Sequence, residues 1–282
     1  MRFSIVGVLS ILGLLIVLTL MAFAVYTLFF DKPFYEADSY TSESFRTEEE
    51  SGTIDSDRKV DRLEIRNISG RISAVGWGDN QVRLDYRKFG PGQPPEVEVD
   101  YQGSTMVIKA VYPKKLAAFG SIDFEIKVPD SVRYIDAGSV SGSIRLSEIG
   151  NDVEQKLSTT SGSVKTDSSG NLDISSVSGS LEFSSSGSRI TASTTSGRIA
   201  GALEEDHGSG KIELSSVSGR VVLEVPENLN ADVDLHSVSG SVSSDLPVSV
   251  TESRKKSLRG RIGSGGTIID IGTVSGSIKI RE

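Results

Sequence analysis

The stretch LDISSVSGSLEFSSSGSRITASTTSGRI, residues 172–199, holds the repeat that decides the fold. Two Ser-Gly pairs, ending at Gly179 and Gly197, each follow a β-branched residue and sit at fixed distances from apolar residues on either side. Working outward, the same pattern recurs as ISGRI, VSGSI, TSGSV, VSGSL, TSGRI, VSGRV, VSGSV and VSGSI, with glycines at Gly70, Gly142, Gly162, Gly179, Gly197, Gly219, Gly240 and Gly276. From Gly142 to Gly240 the steps are 20, 17, 18, 22 and 21 residues, and the last step of 36 is about two periods. A period of this size is the mark of a stacked-repeat architecture.

Numbering from the residue before Ser-Gly shows what each repeat buries. That residue is always β-branched: Ile68, Val140, Thr160, Val177, Thr195, Val217, Val238 or Val274. Three positions earlier lie Ile65, Ala137, Leu157, Ile174, Ala192, Leu214, Leu235 and Ile271. Five earlier the residue is apolar in every repeat except one, which has Gln155. Four later lie Ile72, Ile144, Val164, Leu181, Ile199, Val221, Val242 and Ile278. Offsets of minus five and minus three carry the strand period of two, and plus four, often with plus six, marks a second short strand. Between the two strands the chain must turn, and glycine turns at positive φ without steric cost. Each repeat therefore reads as strand, Ser-Gly corner, strand and looser return, the return often holding a further glycine such as Gly170, Gly187 or Gly210. The spacing predicts positive φ at Gly179, Gly197 and Gly219, with a greater need for glycine there than in the returns.

One coil cannot bury its apolar face, whereas stacked coils form ladders of like residues about 4.8 Å apart, a setting that suits β-branched side chains. The fold expected is all-β: a β-solenoid, parallel β-helix-like, of coils of about 20 residues. At the position before the β-branched residue seven of eight repeats carry a hydroxyl, from Ser139 to Thr273; whether it points in or out is open at this stage. Residues 75–134 fit the repeat less well and read as strands over 81–86, 96–101, 106–112 and 122–128, continuing the solenoid or capping its N-terminal end. Residues 245–265 read as one degenerate coil that keeps Gly260 and Ile262 but loses the serine. The chain stops at Glu282, directly after an expected strand, so the final coil is expected to present a strand edge that Lys279, Arg281 and Glu282 blunt, or that pairs with another molecule.

Residues 3–30 carry no charge. At about 1.5 Å per residue such a run spans roughly 42 Å, more than a hydrocarbon core of about 30 Å. The run is too long for a signal core and continues past Ala22-Phe23-Ala24, so it reads as one uncleaved transmembrane signal-anchor α-helix, residues 1–30. Arg2 and the amino terminus on one side, against an acidic flank on the other, place the N-terminus in the cytoplasm and the rest outside it: a single-pass protein of the cell membrane. Residues 31–57 hold nine acidic residues against Lys32 and Arg46, with no apolar period; a flexible acidic linker is drawn over 31–58. The N-terminal β region then covers 59–134 and the Ser-Gly solenoid 135–282.

The composition suits a thin structure: 282 residues, 37% hydrophobic, 6% aromatic, 29 glycines. A net charge of −8 disfavours nucleic acid as a partner. With no cysteine there are no disulfides, thiolate metal sites or cysteine nucleophiles.

The glycine-marked repeats, the opening Ile65-x-Asn67-x-Ser69-Gly70-x-Ile72 and the strand ending in Val128-Pro129-Asp130 resemble the bacterial putative-adhesin family over about residues 59–282. The resemblance implies a β-solenoid domain of a bacterial cell envelope, a surface location and a role in attachment or envelope stress. It supplies no catalytic residues.

Neither do the residues themselves. His207 and His236 lie in different repeats and lack companions for a zinc site. The serines are accounted for by the corners, and no nucleophile elbow or phosphate loop is present. Glu204-Glu205-Asp206 reads as a solvated loop or a weak cation site, and Asn67-Ile68-Ser69 matches a glycosylation sequon at a corner. Arg254, Lys255, Lys256, Arg259 and Arg261 form a basic cluster in an acidic chain, either a solvated loop or a docking site for an anionic envelope polymer or lipid headgroup. The sequence therefore points to a non-enzymatic, envelope-anchored adhesion or binding module with no cofactor and no metal. Its partners are the membrane and an envelope polymer or another protein. A scaffold that self-assembles through solenoid ends, and an envelope-stress sensor, are the alternatives.

Overall fold

The computed structural model describes residues 47–91, 95–112, 120–150, 152–205 and 208–282. The expected membrane segment, the linker up to residue 46, Asp206 and His207 lie outside the described residues. Among the described residues no helix is long and apolar enough to cross a membrane.

The fold is all-β and solenoid-like. Its strands are β1 Thr47–Asp55, β2 Arg62–Ser69, β3 Ile72–Trp77, β4 Arg83–Pro91, β5 Glu96–Gln102, β6 Thr105–Val111, β7 Ser121–Pro129, β8 Tyr134–Ser141, β9 Ile144–Ser147, β10 Glu154–Thr159, β11 Val164–Ser168 and β12 Leu172–Ser176. There follow β13 Leu181–Ser185, β14 Arg189–Ser196, β15 Ile199–Leu203, β16 Lys211–Ser218, β17 Val221–Glu224, β18 Ala231–Ser237, β19 Ser241–Ser244, β20 Ser249–Arg254, β21 Ser257–Ile262, β22 Thr267–Thr273 and β23 Ser277–Arg281. Each repeat gives its strand before the corner to one sheet and its strand after the corner to the other. Sheet A runs β1-β4-β7-β3-β9-β11-β13-β15-β17-β23-β19, and sheet B runs β20-β21-β18-β22-β16-β14-β12-β10-β8-β2-β6-β5. Neighbouring coils pair in parallel and in register, for example Leu172 with Ile190 and Leu181 with Ile199.

The two sheets face each other across the apolar ladders. Ile65, Ala137, Leu157, Ile174, Ala192, Leu214, Ile271 and Leu235 are all buried. The polar exception is satisfied within its own coil: Gln155 is buried, Thr166 Oγ1 donates to its Oε1 at 2.5 Å, and its Nε2 donates to the Asp167 carbonyl at 3.3 Å. The hydroxyl column points inward, with Ser139, Thr159, Ser176, Thr194, Ser216, Thr273 and Ser237 all buried.

Coil order departs from chain order at both ends. The β6–β7 coil lies outside the β2–β3 coil, and the C-terminal β22–β23 coil is inserted between β16–β17 and β18–β19. The C-terminal strand is therefore no edge: β23 pairs with β17 on one side and β19 on the other. Side-chain quality explains the insertion. The β22–β23 coil turns four isoleucines inward, Ile269, Ile271, Ile278 and Ile280, all buried, whereas the β18–β19 coil has the smaller Val233, Val242 and Ser244 beside Leu235 at the matching positions. The better-filled coil takes the interior and the poorer one the end.

Residues 245–265 form an antiparallel hairpin, β20–β21, laid against β18, in place of the degenerate coil expected from the sequence. At the other end β5 pairs antiparallel with β6, β4 continues sheet A antiparallel to β7, and β1 pairs antiparallel with β4. The expected strands over 75–134 are present, and the region both continues the solenoid and caps it. Residues 47–55, expected within the linker, are strand β1, paired with β4 from Thr47–Pro91 to Asp55–Arg83.

A small polar knot fixes the first corner. Asn67 is fully buried and its Nδ2 donates to the Ile122 carbonyl at 2.8 Å, so the sequon is out of reach in the folded chain. Tyr112 accepts from the Ser69 amide at 3.1 Å and donates to the Ser69 carbonyl at 3.1 Å. Burial pushes the Tyr112 hydroxyl up from 10.0 to about 12. A tyrosine whose pKa is raised by folding stabilises the fold below its unfolded pKa, and that contribution is lost as pH rises from 10.0 toward about 12. Tyr112→Phe is expected to cost about 1 kcal/mol at neutral pH, the net worth of a hydrogen bond. The difference between wild type and variant should close above pH 10 in chemical melts; a constant difference up to pH 12 would refute the buried hydroxyl.

Candidate functional site

Two chemically different surfaces follow from the alternation of the strands. On the outer face of sheet B one register column reads Glu64, Asp136, Lys156, Asp173, Thr191, Glu213, Asp270 and Asp234. Partial desolvation raises the Asp173 and Asp270 carboxyls above their usual range. Neighbouring carboxylates add to it, Asp136 and Glu154 for the first, Asp234 and Glu213 for the second, against the opposing pull of Lys156 and His236. Asp270 keeps 51% exposure, so water screens much of this repulsion. His236 lies across Gly272 of the neighbouring coil, its Nδ1 3.9 Å from Asp270. Among the described residues no group of three metal-ligating side chains assembles.

The outer face of sheet A carries a shallow groove of about 690 Å³ over β11, β13, β15, β17 and β23. Its floor is low because β15 and β17 present Ala200, Ala202 and Val222 there. Its walls are long charged side chains. Lys165 pairs with Glu182 on the next coil, Arg281 with Glu224, and Lys279 with Asp245 at 2.7 Å. Five cations and three carboxylates line the groove, a cationic surplus within a chain of net charge −8.

Two of those cations are different. Arg198 and Arg220 follow the corner glycines of adjacent coils, both are exposed, and among the described residues neither makes an ion pair. The Ile199 amide donates to the Arg220 carbonyl at 3.0 Å, which fixes the two residues as neighbours in the stack. Parallel strands place them roughly 4.8 Å apart along the solenoid. The sequence reading passed over both, although SGR in place of SGS in two consecutive repeats was visible.

The basic cluster singled out from the sequence sits on the hairpin at the far end. Arg259 Nε donates to Asp234 at 3.0 Å, Arg261 Nε to Asp232 at 2.9 Å and Lys256 Nζ to the Val238 carbonyl at 2.9 Å. Two of the five cations, Arg259 and Arg261, are thus spent on holding the hairpin to β18. Arg254, Lys255 and Lys256 are exposed at the turn. Of Glu204-Glu205-Asp206, Glu204 accepts from the Ser184 hydroxyl at 2.7 Å, and Asp206 is outside the described residues.

The corner glycines line up in one column, but not for the expected reason. Of the eight, only Gly70 has positive φ, at 108°. At the others the requirement is close approach. A Cβ on Gly162 would lie 1.9 Å from the Gly142 carbonyl oxygen, on Gly179 1.8 Å from that of Gly162, on Gly197 2.0 Å from that of Gly179, and on Gly219 1.7 Å from that of Gly197. The column then runs Gly219, Gly276, Gly240, repeating the inserted coil order. The buried hydroxyls lie against the same points: Ser176 Oγ is 2.9 Å and Ser216 Oγ 3.0 Å from where the Cβ of Gly179 and Gly219 would be. The returns at Gly170 and Gly187 are nearly as tight, a Cβ there meeting the Val153 oxygen at 2.3 Å and the Gly170 oxygen at 2.1 Å, whereas on Gly210 the nearest atom would be 2.9 Å away.

Similar solved structures include a putative cell adhesion protein from Clostridium sporogenes ATCC 15579, at 11% identity over 84% of this chain and 99% of that one, with a TM-score of 0.36. A putative adhesin from Bacteroides fragilis NCTC 9343 is similar at 12% identity over 82% of this chain and 97% of that one, with a TM-score of 0.37. A third, from Parabacteroides merdae ATCC 43184, has 7% identity over 84% and 97% and a TM-score of 0.31. No curated protein matches the chain. The family model described as Toastrack DUF4097 matches residues 53–281, from within β1 to the end of β23, and bears out the family resemblance drawn from the Ser-Gly repeats: the chain belongs to the Toastrack DUF4097 family.

Proposed function

We propose that this protein is a non-enzymatic binding module, held at the cell envelope by its N-terminal segment, with the solenoid presented outside the cytoplasm for attachment. The observation that carries this reading is the sheet A groove. It is wide, open and rigidly backed by paired strands, and its charged groups are arranged for recognition. Glu182 and Glu224 are each held by a cation on a neighbouring coil, Lys165 and Arg281. The charge-free run of residues 3–30 supports the anchor, and the acidic flank after it supports the orientation.

Self-assembly through the solenoid ends is the weaker reading. β5 turns Glu96, Glu98 and Asp100 to solvent, β20 carries a bulge between Val250 and Glu252, and β19 is only four residues long. Charges, bulges and short strands are how proteins prevent edge-to-edge pairing.

The test has two parts. Protease added to intact cells should remove the solenoid, and cells lacking residues 47–282 should attach less well to surfaces that wild-type cells colonise. Protection from protease until lysis would reverse the topology. Hydrolysis of a polysaccharide or ester by the purified chain, lost on a single Asp, Glu or Ser change, would overturn the binding reading.

A further inference from the structure

We infer that the sheet A groove binds an extended polysaccharide bearing carboxylate groups, with Arg198 and Arg220 as the pair that holds consecutive carboxylates. This deepens the binding-module reading and rests on it. The two arginines are neighbours on adjacent coils, exposed, and without an ion pair among the described residues. Like charges held this close repel unless an anion lies between them, and a guanidinium's fork of donors matches a carboxylate's two oxygens.

The rest of the ridge selects the kind of anion. In the column that holds the two arginines the neighbouring coils carry Ser143, Ser163, Ser180, Ser277 and Ser241. The Ser-Gly serines, including Ser178, Ser196 and Ser218, form a second exposed row beside it. Hydroxyls repeating at about 4.8 Å suit a chain that itself repeats hydroxyls. The floor of Ala200, Ala202 and Val222 offers no deep pocket for the aromatic or aliphatic anchor that a protein partner inserts. No aromatic face is turned into the groove for nucleic-acid bases, Phe183 being buried beneath Gly201. The acidic column on sheet B repels a polyanion from the opposite face and favours its arrival here.

The experiment uses the full chain in detergent and two probes: linear polygalacturonate, and the same polymer with its carboxyls methyl-esterified. The key variant is Arg198→Ser with Arg220→Ser. It installs the residue that five other coils carry at this position, so the coil keeps its packing and the melting temperature should not move. The wild type should bind the acid polymer in a salt-sensitive manner and bind the ester at least tenfold more weakly. The double variant should lose at least tenfold for the acid polymer, while Lys109→Ser, an exposed lysine of β6 in sheet B, should match the wild type. Unchanged binding by the double arginine variant would overturn the site. Failure of the wild type to bind the acid polymer, or equal binding to vesicles of anionic lipid, would overturn the ligand class. Cell attachment measured in parallel separates these failures from a failure of the binding-module reading, because it can persist when the polygalacturonate signal is absent.

Discussion

A Gly197→Ala chain should lose about 3 kcal/mol of stability in denaturant melts, at the upper end of what overpacking costs. The new methyl carbon would sit 2.0 Å from the Gly179 carbonyl oxygen and 2.8 Å from its carbon, and neither can retreat. The corner is held on both sides: the Ser196 amide donates to the Val177 carbonyl at 2.9 Å, and the Leu181 amide to the Arg198 carbonyl at 2.8 Å. Relief would require opening the spacing between two coils in mid-stack, which strains the pairing of both sheets at once. Gly187→Ala should cost a similar amount, because the return corner is as tight as the Ser-Gly corner. Gly78→Ala is the contrast: its Cβ would meet nothing within 4 Å, and the change should be neutral or stabilise by up to about 1 kcal/mol through the unfolded chain. If Gly197→Ala behaved like Gly78→Ala, the corners of successive coils could not be in contact.

That contrast also shows what the sequence could and could not reveal. Spacing exposed the glycine column and both inward columns, because a period of about 20 residues with apolar offsets of minus five, minus three and plus four has few other physical solutions. It did not reveal why glycine is needed. A backbone torsion and a close approach from another coil leave the same residue in the sequence, and only the stacked neighbour tells them apart. The order of the coils was hidden for a related reason. Ladders of Ile, Val and Leu are interchangeable, so any coil can stack on any other, and the decision falls to fine differences such as four inward isoleucines in β22–β23 against Val233, Leu235, Val242 and Ser244 in β18–β19. Charge clusters are visible along a chain and their neutralisation is not. Arg259 and Arg261 meet Asp234 and Asp232 from 25 and 29 residues away, whereas Arg198 and Arg220 are 22 residues apart in sequence and come together without an ion pair among the described residues.

The inserted coil makes a prediction that a solenoid stacked in chain order would not. Ending the chain after Gly266 removes β22 and β23. In a sequential stack this would trim one terminal coil and leave its neighbours intact. Here it withdraws the strand that separates β16 from β18 and the strand that separates β17 from β19. Four buried isoleucines go with it, each contributing roughly 1.5–3 kcal/mol by burial. Residues 231–262 lose both parallel partners, and the β20–β21 hairpin loses its platform, since β21 pairs with β18 and Arg259 and Arg261 meet Asp234 and Asp232 of that strand. Amide hydrogen exchange of the truncated chain should therefore show protection lost throughout β18–β21, 30 or so residues upstream of the cut, while β8 to β15 keep theirs because solenoid stability is a sum of neighbouring interfaces. Should β18 amides retain full-length protection, the 231–244 coil would have to be resting directly on the 211–224 coil, and the inserted order would be wrong.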